Sequence, residues 1–476
     1  MMKNLRARAL LAVLLASLLA APGCGVVGQY VDLHGLRPLS RAERLFREGE
    51  RLAEAGKVAE SNLAFRQAVE ADPSYQPALR RLAAAYAAQG RRRLAAYFYE
   101  RLLAASPHDD EARRTLVETY QALGRLDKAA EAGRPLGIAV QAIDAASQPP
   151  LPSLWETFLE ERAISGMAVG ENTLFVTTQG GSLYALDRET GQIRWHFAPR
   201  DARPIVSAPA YSPAADRSLV LFGAENAVLY AISATDGREL WQFRAAAPIH
   251  GSPAVAGNRV CFGSMDGTLY ALDRSTGGLF WKFQARGAFQ AAPLLAGDTV
   301  YAGSLDQNLY AIDAQNGSER WHFAALSGVE STPLLEGDLL YFGANDSRVY
   351  CVNAKSAREV WHVSAGDSVY AQPLLQDDRL YATSAGQVLL ALAPQTGELL
   401  WRYNARTFLT TRPACARGAI YLVAAGDPHL YALDAQTGSS LWAMDTGDWP
   451  ATEPVVVGGA LYLGERDGTV LAYKLP

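Results

Sequence analysis

The 476-residue sequence predicts a multidomain α plus all-β protein: a short α-helical repeat array followed by an eight-bladed propeller of four-stranded β-sheets. Three observations predict it. Trp241, Trp281, Trp321, Trp361 and Trp401 stand 40 residues apart. Around them one unit recurs, seen whole as Leu269-Tyr270-Ala271-Leu272-Asp273, then Gly277, then Trp281-Lys282-Phe283. Upstream, small and aromatic residues recur at helical spacing, and Pro73 and Pro107 lie 34 residues apart. Self-similarity at fixed periods of this length marks propellers, solenoids and helical arrays.

Taken in order, residues 1–23 read as an export leader. Lys3, Arg6 and Arg8 precede an apolar run, Ala9 to Ala21, that is too short for an ordinary membrane span. The run leads into Ala21-Pro22-Gly23-Cys24. A Cys straight after a small residue resembles the bacterial lipobox, although Ala21 and Pro22 differ from the usual pair there. The resemblance implies that Cys24 is the acylated first residue of a lipoprotein, anchored to a membrane by its acyl chains. Gly25 follows, not the Asp of an inner-membrane retention signal, which points to the outer membrane, facing the periplasm. Residues 24–40, with Gly28, Gly35 and Pro38, read as a tether.

Residues 41–145 carry a period of 3.6. Leu45, Gly49, Leu52, Gly56, Phe65, Ala68 and Pro73 form one pattern; Leu79, Ala83, Tyr86, Gly90, Ala95, Tyr99, Leu102 and Pro107 form the next. Small residues let paired helices approach, aromatics fill the opposite hole, and Pro ends the second helix. The spacing resembles the tetratricopeptide repeat. A third copy begins at Leu116, Tyr120, Gly124 and Ala129, then departs at Gly133 and Pro135, where an uninterrupted helix would not tolerate proline. Residues 146–153, with Pro149, Pro150 and Pro152, read as a stiff linker.

Residues 154–476 form the propeller. In each period a β-prone run alternates, an Asp-x-x-x-Gly turn follows, and a second run carries the Trp. With the strand pair upstream, such as Pro253–Val255 and Arg259–Gly263, each period supplies four antiparallel strands, which make one blade. Third strands at Tyr184, Tyr230, Tyr270, Tyr310, Tyr350, Leu390, Tyr431 and Tyr473 count eight blades. Trp155 stands 40 residues before Trp195, so 154–158 is expected to supply the outer strand of blade eight and close the ring. Thr157 occupies the place of Phe197, Phe283 and Phe323 in this copy.

Charge divides unevenly. Residues 1–150 hold 21 Lys/Arg against 16 Asp/Glu, and the remainder holds 23 against 33. An acidic propeller argues against a nucleic-acid partner. Cys261, Cys351 and Cys415 are widely spaced on strand positions and read as buried apolar thiols.

The propeller unit resembles the PQQ-type repeat, found in quinoprotein dehydrogenases and in the BamB family of outer-membrane assembly lipoproteins. A dehydrogenase would need a quinone platform, a cation and a base carboxylate. That family typically offers a vicinal Cys pair and long insertions between blades. This chain has neither: no cysteines are adjacent, and the periods run nearly bare. His196, His322 and His362 fall on different blades at the periphery, and each turn Asp is a turn residue first. No catalytic residue, cofactor or metal site is therefore expected. The BamB resemblance implies protein partners, among them the barrel-insertion protein BamA. The helical repeats depart from the plain BamB pattern and leave open a scaffold for another envelope machine.

Two candidate binding surfaces follow from the residues. A loop leads into each innermost strand, and Ile205, Ile249, Phe289, Val329, Val369, Leu409 and Pro450 stand four positions before its Pro. These are expected to ring one mouth of the central channel, with the aliphatic members in the core. Phe289, Tyr370, Phe408 and Trp449 differ from blade to blade and are the contact candidates, with Arg203, His250, Glu330 and Arg412 as polar neighbours. In the helical repeats, Arg80, Arg81, Arg91, Arg92 and Arg93 are candidates for a groove that attracts acidic partners, or for a solvated face.

Overall fold

A computed structural model describes residues 39–138 and 151–476, apart from 90, 124, 160–162 and 216. The leader, Cys24, residues 24–38 of the tether and 146–150 of the linker lie outside the described residues. The chain divides into two units between residues 142 and 143.

The first unit is helical. Helices α1 (Arg41–Glu54), α2 (Val58–Ala71), α3 (Gln76–Ala88), α4 (Arg92–Ala105), α5 (Asp110–Ala122) and α6 (Leu126–Gly133) follow one another in antiparallel pairs. Ser40 caps α1: its hydroxyl accepts from Glu43 N at 3.1 Å, and Glu43 returns the bond to Ser40 N at 2.6 Å. A methyl group at Gly49 would overlap the Phe65 ring, which is why α1 needs a glycine opposite that aromatic. Tyr86 and Phe98 stack at 5.5 Å between α3 and α4. The last helix stops after 8 residues, and Arg134–Leu136 tighten into a 3₁₀ turn at Pro135.

The second unit is a ring of eight four-stranded antiparallel sheets. Blade one comprises Ile164–Val169, Thr173–Thr178, Leu183–Asp187 and Ile193–Phe197. In blade eight the strands Val455–Val457, Ala460–Gly464 and Thr469–Lys474 are completed by Ser153–Phe158, the segment just ahead of blade one. Trp155 pairs with Ala472 and Thr157 with Val470. The sheet edge that the third strand would expose is thereby covered.

Three repeated contacts build the blades and the core between them. First, the indole N–H of Trp195 donates to the Ala234 carbonyl of the next blade, Trp281 to Ala314, Trp321 to Ala354 and Trp361 to Pro394, at 2.9–3.3 Å. The turn glycine of that next blade lies flat on the ring: Gly317 on Trp281, Gly397 on Trp361. Each of these glycines has φ near +75°, so Cβ is excluded twice, by the indole and by the backbone. Second, Asp273 Oδ1 accepts from the backbone N–H of Ser275 and Thr276 at 2.9 Å, and Asp187, Asp313 and Asp434 repeat the pattern. Third, Gly223, Gly263, Gly303, Gly343 and Gly464 sit at the ends of second strands. A Cβ on any of them would collide with Ile249, Phe289, Val329, Val369 and Ile164 respectively. Blades one and six carry Thr177 and Thr383 there, whose hydroxyls bond the Ser207 and Thr411 carbonyls at 2.8 and 2.9 Å.

Candidate functional site at the channel mouth

The loops from each outer strand to the next inner strand share one face with the loops between second and third strands. Backbone bonds lock the two sets together: Leu305 N to Ala288 O, Asn345 N to Gly328 O, Ala425 N to Phe408 O and Arg466 N to Trp449 O, all at 2.9 Å. The face is a fixed platform, which suits recognition.

Along each inner segment, side chains alternate. Ile205, Ile249, Phe289, Val329, Val369 and Leu409 turn away from the channel and are at most 1% exposed. They are core: Ile249, Phe289, Val329 and Val369 each fill the space over a glycine in the second strand of the preceding blade, and Thr383 of blade six bonds the segment that carries Leu409. The aliphatic members lie where the sequence reading placed them. Phe289 does not: as a contact candidate it is corrected, since its ring packs against Tyr310 at 6.2 Å in the core between blades three and four. The residue after each ring member lines a cavity of about 520 Å³ at the mouth: Val206, His250, Gln290, Glu330, Tyr370 and Thr410. Val206, Gln290 and Thr410 were missed. The signal was present, because a strand alternates and the next residue must face the other way.

Tyr370, Phe408 and Trp449 are 39%, 55% and 41% exposed. They stand on the loops into blades six, seven and eight, on one side of this face; Tyr370 lines the mouth cavity, and Phe408 and Trp449 stand outside its lining. The Arg466 guanidinium lies 5.1 Å from the Trp449 ring, a cation–π contact that holds the indole. His250 Nε2 lies 2.8 Å from Glu225 Oε1, and Glu330 accepts from Asn345 Nδ2. Arg203 is exposed on the loop into blade two, and Arg412 is half-buried. The Glu453 side chain is itself solvent-exposed, yet the protein surrounding it disfavours the charged carboxylate and pushes it above the usual range, and the nearby Arg412 charge pulls it part of the way back.

The arginines of the helical unit are mostly engaged. Arg80 pairs with Asp109 and lies 3.5 Å from Glu111; Arg81 pairs with Glu50 at 2.7 Å. These two tie α3 to its neighbours and are corrected as a free acidic-partner groove. Arg91 lies over the Tyr86 ring at 5.2 Å, Arg93 is half-buried and Arg92 is exposed.

The chemistry-bearing residues elsewhere are scattered. His322 and His362 pair with Glu319 and Glu359 at 2.8 Å, and His196 stacks on Tyr184 at 5.6 Å. Among the described residues no group of three or more His, Cys, Asp or Glu could hold a metal ion. Burial pushes the Cys261 and Cys351 thiols up to about 12 and Cys415 to about 11. No described helix is long and apolar enough to cross a membrane.

A tetratricopeptide-repeat model matches residues 87–132. Among solved structures, the chain is similar to BamB from Moraxella catarrhalis: 21% identity, TM-score 0.60, covering 68% of this chain and 98% of that one. It is also similar to the computationally designed protein Ika8: 19% identity, TM-score 0.61, covering 69% and 100%. At these identities the likeness shows the propeller fold. No curated protein sequence matches. A propeller of this type joined to helical repeats has the make-up of a protein-interaction scaffold. A family model described as outer membrane protein assembly factor BamB matches residues 224–367 and 345–475, more than half of the sequence, and the chain belongs to that family.

Proposed function

We propose that this protein is a non-enzymatic envelope scaffold that binds protein partners during the assembly of outer-membrane β-barrel proteins. Cys24 holds it to the outer membrane by a lipid anchor, facing the periplasm. The partner is a BamA-type barrel-assembly protein, which docks at the propeller mouth. The observation that carries the reading is the arc of Tyr370, Phe408 and Trp449, three large exposed aromatics on successive blades. Exposed aromatics in a fixed patch are typical of recognition surfaces. Trp449 is the one Trp outside the repeat pattern, so no packing requirement of the blades accounts for it.

The absence of chemistry rests on the residues. The turn aspartates are used by their own turns, the strand histidines by neighbouring groups, and no cysteines are adjacent. The helical repeats favour a second reading, a scaffold of another envelope machine such as secretion or polysaccharide export, in which the partner alone differs.

A crosslinked pull-down from intact envelopes, wild type beside Trp449→Ala, tests the proposal. A BamA-type protein captured by wild type and lost in the variant supports both role and site. Capture of a different envelope complex establishes the second reading. A quinone absorbance in the purified protein would overturn the non-enzymatic assignment.

A further inference from the structure

The channel below the mouth is lopsided. Ser331 Oγ accepts from Gly343 N and Thr452 Oγ1 from Gly464 N, both at 3.0 Å, so these side chains turn into their own blades. The next residue along each inner segment therefore faces the channel. From blade two to blade five these residues are Ala208, Ser252, Ala292 and Thr332, all small. From blade six to blade eight they are Gln372, Arg412 and Glu453, all long and polar. The same three blades carry Tyr370, Phe408 and Trp449 above. One wall bears the large side chains, and the opposite wall leaves room.

Arg412 and Glu453 do not satisfy one another. Arg412 Nε is buried and has no hydrogen-bond partner. Glu453, one blade on, lies near enough to feel the guanidinium charge but accepts no hydrogen bond among the described residues. Gln372 is used, donating to the Pro333 carbonyl at 3.2 Å. A buried donor without a partner is costly unless a ligand supplies one.

We propose that the channel is a slot for an extended peptide, in which Arg412 and Glu453 bond one backbone amide and the aromatic arc takes the apolar side chains. The inference rests on the reading of the mouth as the partner surface and names what enters it. The charges select the ligand. A free carboxylate would meet Glu453, and an ammonium would meet Arg412. A neutral amide offers its C=O to the guanidinium and its N–H to the carboxylate. Size selects too: beside this pair, the mouth cavity that Tyr370 and Thr410 help to line holds about 520 Å³, within the roughly 300–1,000 Å³ of ordinary binding pockets. It admits a strand or loop tip and excludes a folded domain.

The test is fluorescence anisotropy on the full chain. The probe is a fluorescein-labelled nonapeptide of alternating Phe and Ser, acetylated and amidated at its ends. Saturable binding is expected in wild type. Arg412→Met should weaken it at least tenfold and Glu453→Gln at least threefold. Exchanging the two charges, Arg412→Glu with Glu453→Arg, should recover binding to within threefold of wild type. The same peptide N-methylated along its backbone should bind at least tenfold more weakly, and that comparison uses wild-type protein, so it holds even if a channel variant does not fold. Absence of saturable binding, equal binding of the N-methylated peptide, or undiminished binding by folded Arg412→Met overturns the proposal. Partner capture separates the two readings. If Trp449→Ala loses its envelope partner while wild type ignores the peptide, the docking surface stands and the slot falls. If the peptide binds as expected while Trp449→Ala keeps its partner, the slot stands and the docking assignment falls.

Discussion

The indole N–H of Trp155 donates to the Arg188 carbonyl at 3.0 Å, joining blade eight to blade one. It is the same bond that Trp241 makes to Arg274, but here the Trp arrives on a strand from upstream of the first blade. Thr157, the residue that departs from the Phe pattern, donates to the Gly191 carbonyl at 2.6 Å and adds a second bond across the seam. Ring closure therefore reuses the ordinary interblade contact, reinforced where the two ends of the propeller meet.

Trp155→Ala should destabilise the propeller by about 3–5 kcal/mol, the usual loss for a buried large aromatic. Trp155→Phe should cost less, because it keeps most of the packing and removes the indole bond, worth about 1 kcal/mol. Urea denaturation followed by Trp fluorescence, corrected for the missing indole, checks the order of the two.

Gly303→Ala should cost about 1–3 kcal/mol by overpacking, since its methyl meets Val329. Adding Val329→Ala should recover only part of the loss, because the Val329 carbonyl also lies within 2.6 Å of the new methyl. A double-mutant cycle on urea midpoints measures the coupling.

Phe289→Ala and Trp449→Ala should behave oppositely. The first empties a core position and should lose about 3–5 kcal/mol. The second truncates an exposed side chain and should leave stability within about 0.5 kcal/mol of wild type. Paired thermal melts distinguish core from contact residue.

The Asp273 turn should weaken in acid. Its carboxyl is held down at about 2, first by the Ser275 hydroxyl, then by Asn258 and Thr276. A depressed carboxylate contributes stability above its unfolded value, near 3.9, and loses it as pH falls through the folded value. The contribution should be complete at pH 5 and fade between about 4 and 2. Asp273→Asn should flatten that part of the curve of urea midpoint against pH.

The three propeller thiols should resist alkylation at pH 8 in the folded protein and react fully in guanidinium. Burial holds Cys261 and Cys351 near 12 and Cys415 near 11, so little thiolate is present. Iodoacetamide labelling with mass spectrometry checks each site.

Much of the fold was legible because its determinants are local. Tyr270, Asp273, Gly277 and Trp281 fall within one hairpin, and each pair of strands is joined by a short turn whose residues declare it. The break at Gly133 and Pro135 was readable for the same reason. The site was harder. Phe289 and Tyr370 look alike in sequence, aromatics four and three residues before an inner-strand proline, yet one is core and the other faces solvent. Arg80 and Arg81 look like a free basic patch until Asp109 and Glu50 are brought beside them from other helices.

By itself, the sequence determined the two repeat systems, the number of blades and the strand that closes the ring. Periodicity is written in neighbouring residues, and the strand period of two leaves little choice once the turns are placed. Only the tertiary structure decided which inner residues face the channel and which charges remain unpaired. A shift of one residue exchanges the two faces of a strand, and the groups that meet in the channel come from blades about 40 residues apart. Arg412 and Glu453 become neighbours only when blades seven and eight pack side by side.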